Sequence, residues 1–133
     1  MSAKDVLKLM KSKNIEFVDL RFTDPRGKLQ HLTMDTTIVD EGMLNDGVFF
    51  DGSSIAGWKA INESDMILKP DLSRKVIDPY TSHNTLILFC DILDAVKKDP
   101  YERDPRGIAK KAEAYLKKTG IGDTAYFGPE PEF

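Results

Sequence analysis

The spacing of apolar residues at the start of the chain predicts a helix. Ser2, followed three residues later by Asp5, has the form of a capping box, in which each side chain hydrogen bonds to the backbone of the other residue. Apolar residues at helical spacing come next, at Val6, Leu7 and Met10. We therefore predict a short helix over about residues 3 to 12.

The period changes from helical to alternating after this helix, which indicates two paired strands. Apolar and polar side chains alternate through residues 15 to 23, as expected of a half-buried strand. A second alternating segment covers residues 29 to 34. The segment Asp24-Pro25-Arg26-Gly27 between them carries the residues that a type I turn favours. The sequence predicts an antiparallel hairpin.

Short apolar segments after the hairpin predict one more helix and the remaining strands of a sheet. Ile38 to Leu44 is interpreted as a short helix. Four strand candidates follow: Val48–Phe50, Met66–Leu68, Val76–Ile77 and Thr85–Cys90. The last of them, TLILFC, is the most apolar, and such runs are typical of strands with neighbours on both sides. We expect it at the centre of the sheet.

The last third of the chain predicts a separate helix and strand. Residues 94 to 101 are interpreted as a linker, after which Asp104 and Pro105 mark a helix start and Gly120 its end. The predicted buried face of this helix consists of Ile108, Ala112, Tyr115 and Leu116. Residues 124 to 133 are predicted to begin as a strand. The order of these elements gives an α+β fold class.

The amino-acid composition argues against several classes of protein. The chain has 133 residues, of which 41% are hydrophobic and 31% charged, which is typical of a globular protein. Its net charge of −3 argues against nucleic acid as a partner. The single cysteine excludes a disulfide framework, and no apolar run is long enough to span a membrane. The start of the chain lacks the pattern of a signal peptide, so we expect a cytoplasmic protein.

Two carboxylates near the end of the chain are the first candidate site. Glu130 and Glu132 are two residues apart, and on a strand such side chains share a face about 6.6 Å apart. That arrangement suits ligands of two divalent ions or of one ion between them. Pro129 and Pro131 remove two N–H groups and place the segment at a sheet edge. The alternative is a polar terminal tail stiffened by proline.

The second candidate is the loop Phe50–Trp58, with the sequence FDGSSIAGW. Its glycines and serines allow a bent backbone, and Asp51 among them could act as a general base or a cation ligand. The alternative interpretation is structural, with Asp51 closing an Asx-turn on its own backbone and Trp58 packing in the core.

The histidines and the cysteine are interpreted as structural. His31 and His83 have no acidic or cysteine residue at metal-ligand spacing, and His31 is expected to be a half-exposed sheet residue. Cys90 is expected to be a small buried residue of the central strand.

Taken together, these segments resemble the bacterial-type (type I) glutamine synthetases, the glutamate–ammonia ligases. The motifs that carry the resemblance are FDGSSIAGW at 50–58, INESDM at 61–66, VIDP at 76–79, CDI at 90–92, RDPR at 103–106 and GPEPEF at 128–133. The resemblance implies an N-terminal helix at 1–12, a β-grasp domain at 13–96, a linker at 97–102 and the first helix and strand of a truncated catalytic domain at 103–133.

The same resemblance implies a reaction and its residues. ATP, glutamate and ammonia would give glutamine through a γ-glutamyl phosphate, with two or more Mg²⁺ or Mn²⁺ ions in each active site. Glu130 and Glu132 would be metal ligands, Asp51 would bind ammonium and accept its proton, and Ser54 would help to position it. The loop would reach into a neighbouring subunit of a homo-oligomer, a dodecamer of two six-membered rings.

The resemblance also implies that this chain alone is inactive, since the nucleotide pocket, the glutamate pocket and the other metal ligands would lie beyond it. The alternative is a stand-alone β-grasp module that binds a protein partner through a sheet edge.

Overall fold

Five strands and three helices account for the regular structure in a computed structural model that describes residues 1–58 and 64–132. The helices are α1 (Ala3–Ser12), α2 (Glu41–Asp46) and α3 (Pro105–Thr119). The strands are β1 (Phe17–Thr23), β2 (Leu29–Asp35), β3 (Val48–Asp51), β4 (Asp65–Ile77) and β5 (Thr85–Asp94). Short 3-10 turns at Thr36–Ile38 and Gly52–Ser54 precede α2 and follow β3. The predicted α+β class is confirmed.

The strands form one sheet in the order β2-β1-β5-β4-β3. β1 and β5 are parallel, and the other neighbouring pairs are antiparallel. The apolar segment that begins at Thr85 lies third of five, so its predicted central position is confirmed. β3 is an edge strand of four residues, and the second candidate site follows directly after it.

The core lies on one face of the sheet, under α1 and α2. Alternate residues of the inner strands are fully buried there, including Leu20, Leu88 and Leu68. Val6 of α1 and Leu44 of α2 cover them and are equally buried. The predicted capping box is present at the start of α1. This helix is therefore stabilised both by its local sequence and by packing on the sheet.

The stretch from β3 to β5 differs from the sequence prediction in one respect. Met66–Leu68 and Val76–Ile77, predicted as separate strands, belong to the single strand β4. Its register against β5 shifts between Pro70 and Lys75. Pro70 has no N–H to donate, and four of the next five residues are polar. The alternating pattern is therefore interrupted at the point where the strand bulges, although the strand continues.

The C-terminal predictions are partly wrong. α3 has the predicted bounds and caps, but three residues of its expected buried face are exposed: Ala112, Tyr115 (70% accessible) and Ile108 (56% accessible). Leu116, the fourth, is half-buried. Residues 124–132 are irregular and not a strand. A strand needs a neighbour for its N–H and C=O groups, and within residues 1–58 and 64–132 this segment pairs with none. Pro129 and Pro131 weaken pairing further.

α3 is fixed to the sheet at its N-terminal end. The buried Asp104 accepts hydrogen bonds from the Arg106 N–H of its own helix and from the Ile92 N–H of β5, at 3.0 and 3.1 Å. The Arg106 guanidinium pairs with Asp71 of β4 and Asp91 of β5. The first turn of α3 is thus held by charge and hydrogen bonds, although its length is exposed. In the part of the chain described, no helix is long and apolar enough to cross a membrane.

The buried carboxylate of Asp19 accepts hydrogen bonds from several side chains of the β1–β2 hairpin. Asp19 is 3% exposed and accepts hydrogen bonds from Arg21 Nε at 2.7 Å and Thr33 Oγ1 at 2.8 Å. His31 Nδ1 lies 2.8 Å from the same carboxylate. His31 has no acidic residue at metal-ligand spacing in the sequence, and its acidic partner comes from the other strand of the hairpin. Burial alone would raise the pKa of Asp19, but these hydrogen bonds outweigh it and hold the pKa below its ordinary value.

We predict that Asp19 contributes to acid sensitivity. Because its pKa is lower in the folded chain, its contribution to stability is complete above the unfolded pKa near 3.9 and is lost as pH falls through the folded value. Asp19→Asn should cost about 1–3 kcal/mol at pH 7 and should flatten the acid decline in the free energy of unfolding. Urea unfolding between about pH 2 and pH 7 measures both.

The matched control is Asp46→Asn, which changes an exposed carboxylate at the end of α2. As the substitution of an exposed residue, it should change the free energy of unfolding at pH 7 by no more than about 0.5 kcal/mol. An equal effect of the two substitutions would contradict the role given to Asp19.

Candidate functional site

Residues 51 to 58 form a short loop that is held against strand β4 at its first turn. Gly52 is buried, and its N–H donates to the Ser64 carbonyl at 2.7 Å. A Cβ at Gly52 would collide with the Met66 side chain and lie 3.0 Å from the Ser64 carbonyl oxygen. Glycine is thus required here by close approach, and the backbone beside Asp51 has little freedom to move.

The far end of the loop is fixed by aromatic packing. Trp58 is 5% exposed, with its ring 5.6 Å from that of Phe22, 6.0 Å from Phe50 and 5.8 Å from Tyr101 between centroids. The Trp58 carbonyl accepts a hydrogen bond from the Tyr101 hydroxyl at 3.0 Å. Arg103 donates to the Gly57 carbonyl at 2.9 Å. The packing interpretation of Trp58 is confirmed, and the loop is tied to the segment that leads into α3.

Asp51 itself is exposed, and it accepts hydrogen bonds from uncharged donors. The Ser53 hydroxyl and the Ser53 N–H both donate to Oδ1, at 2.7 and 2.9 Å. These two bonds, with a further one from the Ser64 side chain, hold the pKa of Asp51 below its ordinary value. The Asx-turn considered as an alternative is therefore present, and it leaves an ionised carboxylate open to solvent.

Ser53, which donates two hydrogen bonds to Asp51, is a residue that the sequence analysis did not select. Ser54, the predicted helper, is exposed in the next position of the turn, and its role stays a prediction. The signal for Ser53 was available, since serine two residues after aspartate is typical of side chains that close a turn onto the carboxylate.

Glu130 and Glu132 lie in the irregular segment after α3, and both are exposed. The argument that a strand places them on one face does not hold for this chain, because no strand forms there. Within residues 1–58 and 64–132, no group of three or more His, Cys, Asp or Glu side chains is close enough together to hold a metal ion. Their part in a metal site stays a prediction.

The remaining candidates have structural surroundings. Cys90 is 1% exposed, as predicted, and burial raises the pKa of its thiol. His83 has no acidic residue at metal-ligand spacing in the sequence, but its Nδ1 lies 3.1 Å from Oε2 of Glu16, which is distant in sequence. Residues 61–63 of the INESDM motif and Phe133 of GPEPEF lie outside the described residues.

Comparison with known proteins extends over the whole chain. The glutamine synthetase of Rhizobium meliloti (strain 1021) is 63% identical over 132 residues, which are 99% of this chain and 28% of that protein. A 3-hydroxylaminophenol mutase of Cupriavidus pinatubonensis is 54% identical over the same shares of both chains. The chain therefore spans little more than a quarter of the length of these relatives.

The fold has solved counterparts. A cryo-EM structure of Plasmodium falciparum glutamine synthetase matches with a TM-score of 0.82 and 26% identity, covering 92% of this chain and 24% of that one. A family model described as the β-grasp domain of glutamine synthetase matches residues 14–95, which include the whole sheet and the Asp51 loop. With this match over more than half of its length, the chain belongs to the glutamine synthetase β-grasp family.

Proposed function

We propose that this chain is the N-terminal part of a glutamine synthetase, which joins glutamate and ammonia with hydrolysis of ATP through a γ-glutamyl phosphate. The observation that carries the proposal is the likeness of almost the whole chain to a longer protein of that name. The stand-alone module considered as an alternative leaves the likeness beyond the β-grasp domain without an explanation.

Asp51 is the residue of this chain that we assign to ammonia. Its carboxylate is exposed, is ionised at neutral pH and receives hydrogen bonds from uncharged donors, so its negative charge is available to a cation such as ammonium. A carboxylate beside bound ammonium can also accept the proton whose loss frees the nitrogen lone pair. Ser54, exposed in the same turn, is the second residue of this proposed site.

Glu130 and Glu132 are assigned to divalent metal ions, Mg²⁺ or Mn²⁺. Carboxylate oxygens are the ligands that these hard cations prefer, and both side chains are accessible. Two carboxylates do not complete a site, so the remaining ligands would come from the longer protein. When bound, such ions neutralise the charge of the phosphates during phosphoryl transfer.

The position of Asp51 supports a site shared between subunits. It ends the edge strand β3 and faces solvent, so a neighbouring chain can approach it. We propose a cytoplasmic homo-oligomer, a dodecamer of two six-membered rings, in which Asp51 and the glutamate pair of one chain serve different active sites.

The activity is tested by assaying glutamine formation by the longer protein. Product should require glutamate, ammonia and ATP together. Because one close relative is named a mutase, 3-hydroxylaminophenol should be assayed in parallel. Conversion of that compound without any ATP-dependent glutamine formation would overturn the proposal.

In the longer protein, Asp51→Asn should reduce turnover chiefly in the step that uses ammonia. The amide has nearly the same shape but neither attracts a cation nor accepts the proton. Loss of a charged partner worth about 1.5–3 kcal/mol corresponds to roughly a 10- to 150-fold fall in kcat/KM for ammonia. Phosphoryl transfer to glutamate, followed by isotope exchange, should survive better.

Asp35→Asn is the matched control. Asp35 precedes a similar 3-10 turn and accepts a hydrogen bond from the Thr37 N–H at 2.8 Å, as Asp51 does from Ser53. It should leave the ammonia dependence unchanged. If Asp51→Asn impairs formation of the acyl phosphate as severely as it impairs glutamine synthesis, the assignment is wrong.

Glu130→Ala and Glu132→Ala in the longer protein should each weaken the binding of divalent metal ions. If the two carboxylates hold different ions, one substitution should mainly disturb nucleotide binding and the other mainly glutamate binding. Calorimetric titration with Mn²⁺, ATP and glutamate separates the effects, and the exposed Glu102→Ala serves as control. Unchanged metal stoichiometry with identical losses in both variants would count against the assignment.

The 133-residue chain alone should form no glutamine. Within its described residues, no set of three or more acidic, His or Cys side chains is grouped for metal binding, and metal sites of this type need several ligands. The check is an assay of the purified chain free of host enzyme. Glutamine formation above the level of a blank would refute this expectation.

A further inference from the structure

Ser53 holds one oxygen of Asp51 from two directions. Its hydroxyl donates to Oδ1 at 2.7 Å and its N–H donates to the same atom at 2.9 Å. Two donors on one oxygen restrict the rotation of the carboxylate about its last bond. Ser53 therefore restricts the orientation of the carboxylate, to which the Ser64 side chain also donates.

The backbone that carries both residues is itself fixed. Gly52 packs so closely against Met66 and Ser64 that no side chain fits there, and its N–H donates to the Ser64 carbonyl at 2.7 Å. Ile55, the next buried residue, donates its N–H to the Gly52 carbonyl at 3.1 Å. The packed turn at Gly52 holds the backbone, and the two hydrogen bonds from Ser53 hold the carboxylate. Together they allow the Asp51 side chain to keep one orientation while it remains exposed.

The pair Asp71 and Ser73 resembles Asp51 and Ser53 but differs from it in charge. Asp71 accepts the hydroxyl and the N–H of Ser73 at 2.6 and 3.0 Å, which is nearly the same geometry. Asp71, however, is also paired with the Arg106 guanidinium, so its charge is already neutralised. Asp51 is oriented by uncharged groups, Ser53 and Ser64, which fix a carboxylate without cancelling its charge.

We propose that Ser53 is a positioning residue for ammonium binding, which acts by holding the Asp51 carboxylate in the orientation that receives the cation. The inference rests on the proposed function, because it assigns Ser53 to the same site. Ser53 itself need not touch the ligand. Its removal should therefore affect ammonia affinity through Asp51 alone.

The test uses the full-length enzyme. Ser53→Ala should raise the KM for ammonia about tenfold, the effect of losing one hydrogen bond to a charged group, with kcat changed less than about twofold. Ser53→Thr keeps the hydroxyl and should recover most of the affinity. Ser53→Cys, a weaker donor of similar size, should fall between the two, and it replaces Ser53→Ala if that variant fails to fold.

A structural role is distinguished by two further measurements. Ser73→Ala removes the corresponding bond at Asp71 and should leave the KM for ammonia unchanged. In an Asp51→Asn background, Ser53→Ala should have no additional effect, since the carboxylate it orients is gone. An effect of equal size in that background would overturn the proposal.

The proposed role of Asp51 and the inference about Ser53 can be contradicted separately. If Asp51→Asn leaves the KM for ammonia unchanged, the proposed role of Asp51 and the inference about Ser53 are both wrong. If Asp51→Asn raises that KM and Ser53→Ala does not, the proposed function stands and only the inference about Ser53 is overturned.

Discussion

The burial of β5 between two different neighbours is the constraint on which the rest of the structure depends. It pairs in parallel with β1 and antiparallel with β4, and its core-facing side chains Leu86, Leu88 and Ile92 have no exposed surface. Burying each such side chain contributes about 1.5–3 kcal/mol. The parallel pairing joins strands that are far apart in sequence, and β2, α2, β3 and β4 all lie between them along the chain.

The Asp51 loop shows how a rigid scaffold can present a charge to solvent. The strand before it lies at the sheet edge, the glycine after it is held against β4, and Trp58 closes the loop in the core. Neutral donors lower the pKa of Asp51. A lowered pKa favours attraction of a cation and makes the same group a weaker base. Of the two tasks proposed for Asp51, the surroundings in this chain favour cation binding.

Local signals in the sequence predicted those elements whose information is local. The capping box of α1, the hairpin turn and the caps of α3 are each contained in a few neighbouring residues, and all three are confirmed. The joined strand β4 and the partner of His31 depend on contacts across the sheet, which no local pattern records. The segment after residue 124, predicted as a strand, has no neighbouring strand among the described residues, and intrinsic preference alone did not form it. Asp51 was found by motif. The contact of Ser53 with Asp51 follows from a local pattern that the sequence analysis did not use, and the atomic distances show it.

The position of Trp58 has a practical consequence. It is the only tryptophan in the chain, it packs between Phe22, Phe50 and Tyr101, and its carbonyl is bound by the hydroxyl of Tyr101. Indole emission depends on how much water reaches the ring. The tryptophan emission of this chain therefore comes from the end of the Asp51 loop. A shift of that emission to longer wavelength would report that the loop has opened and that water has reached the ring.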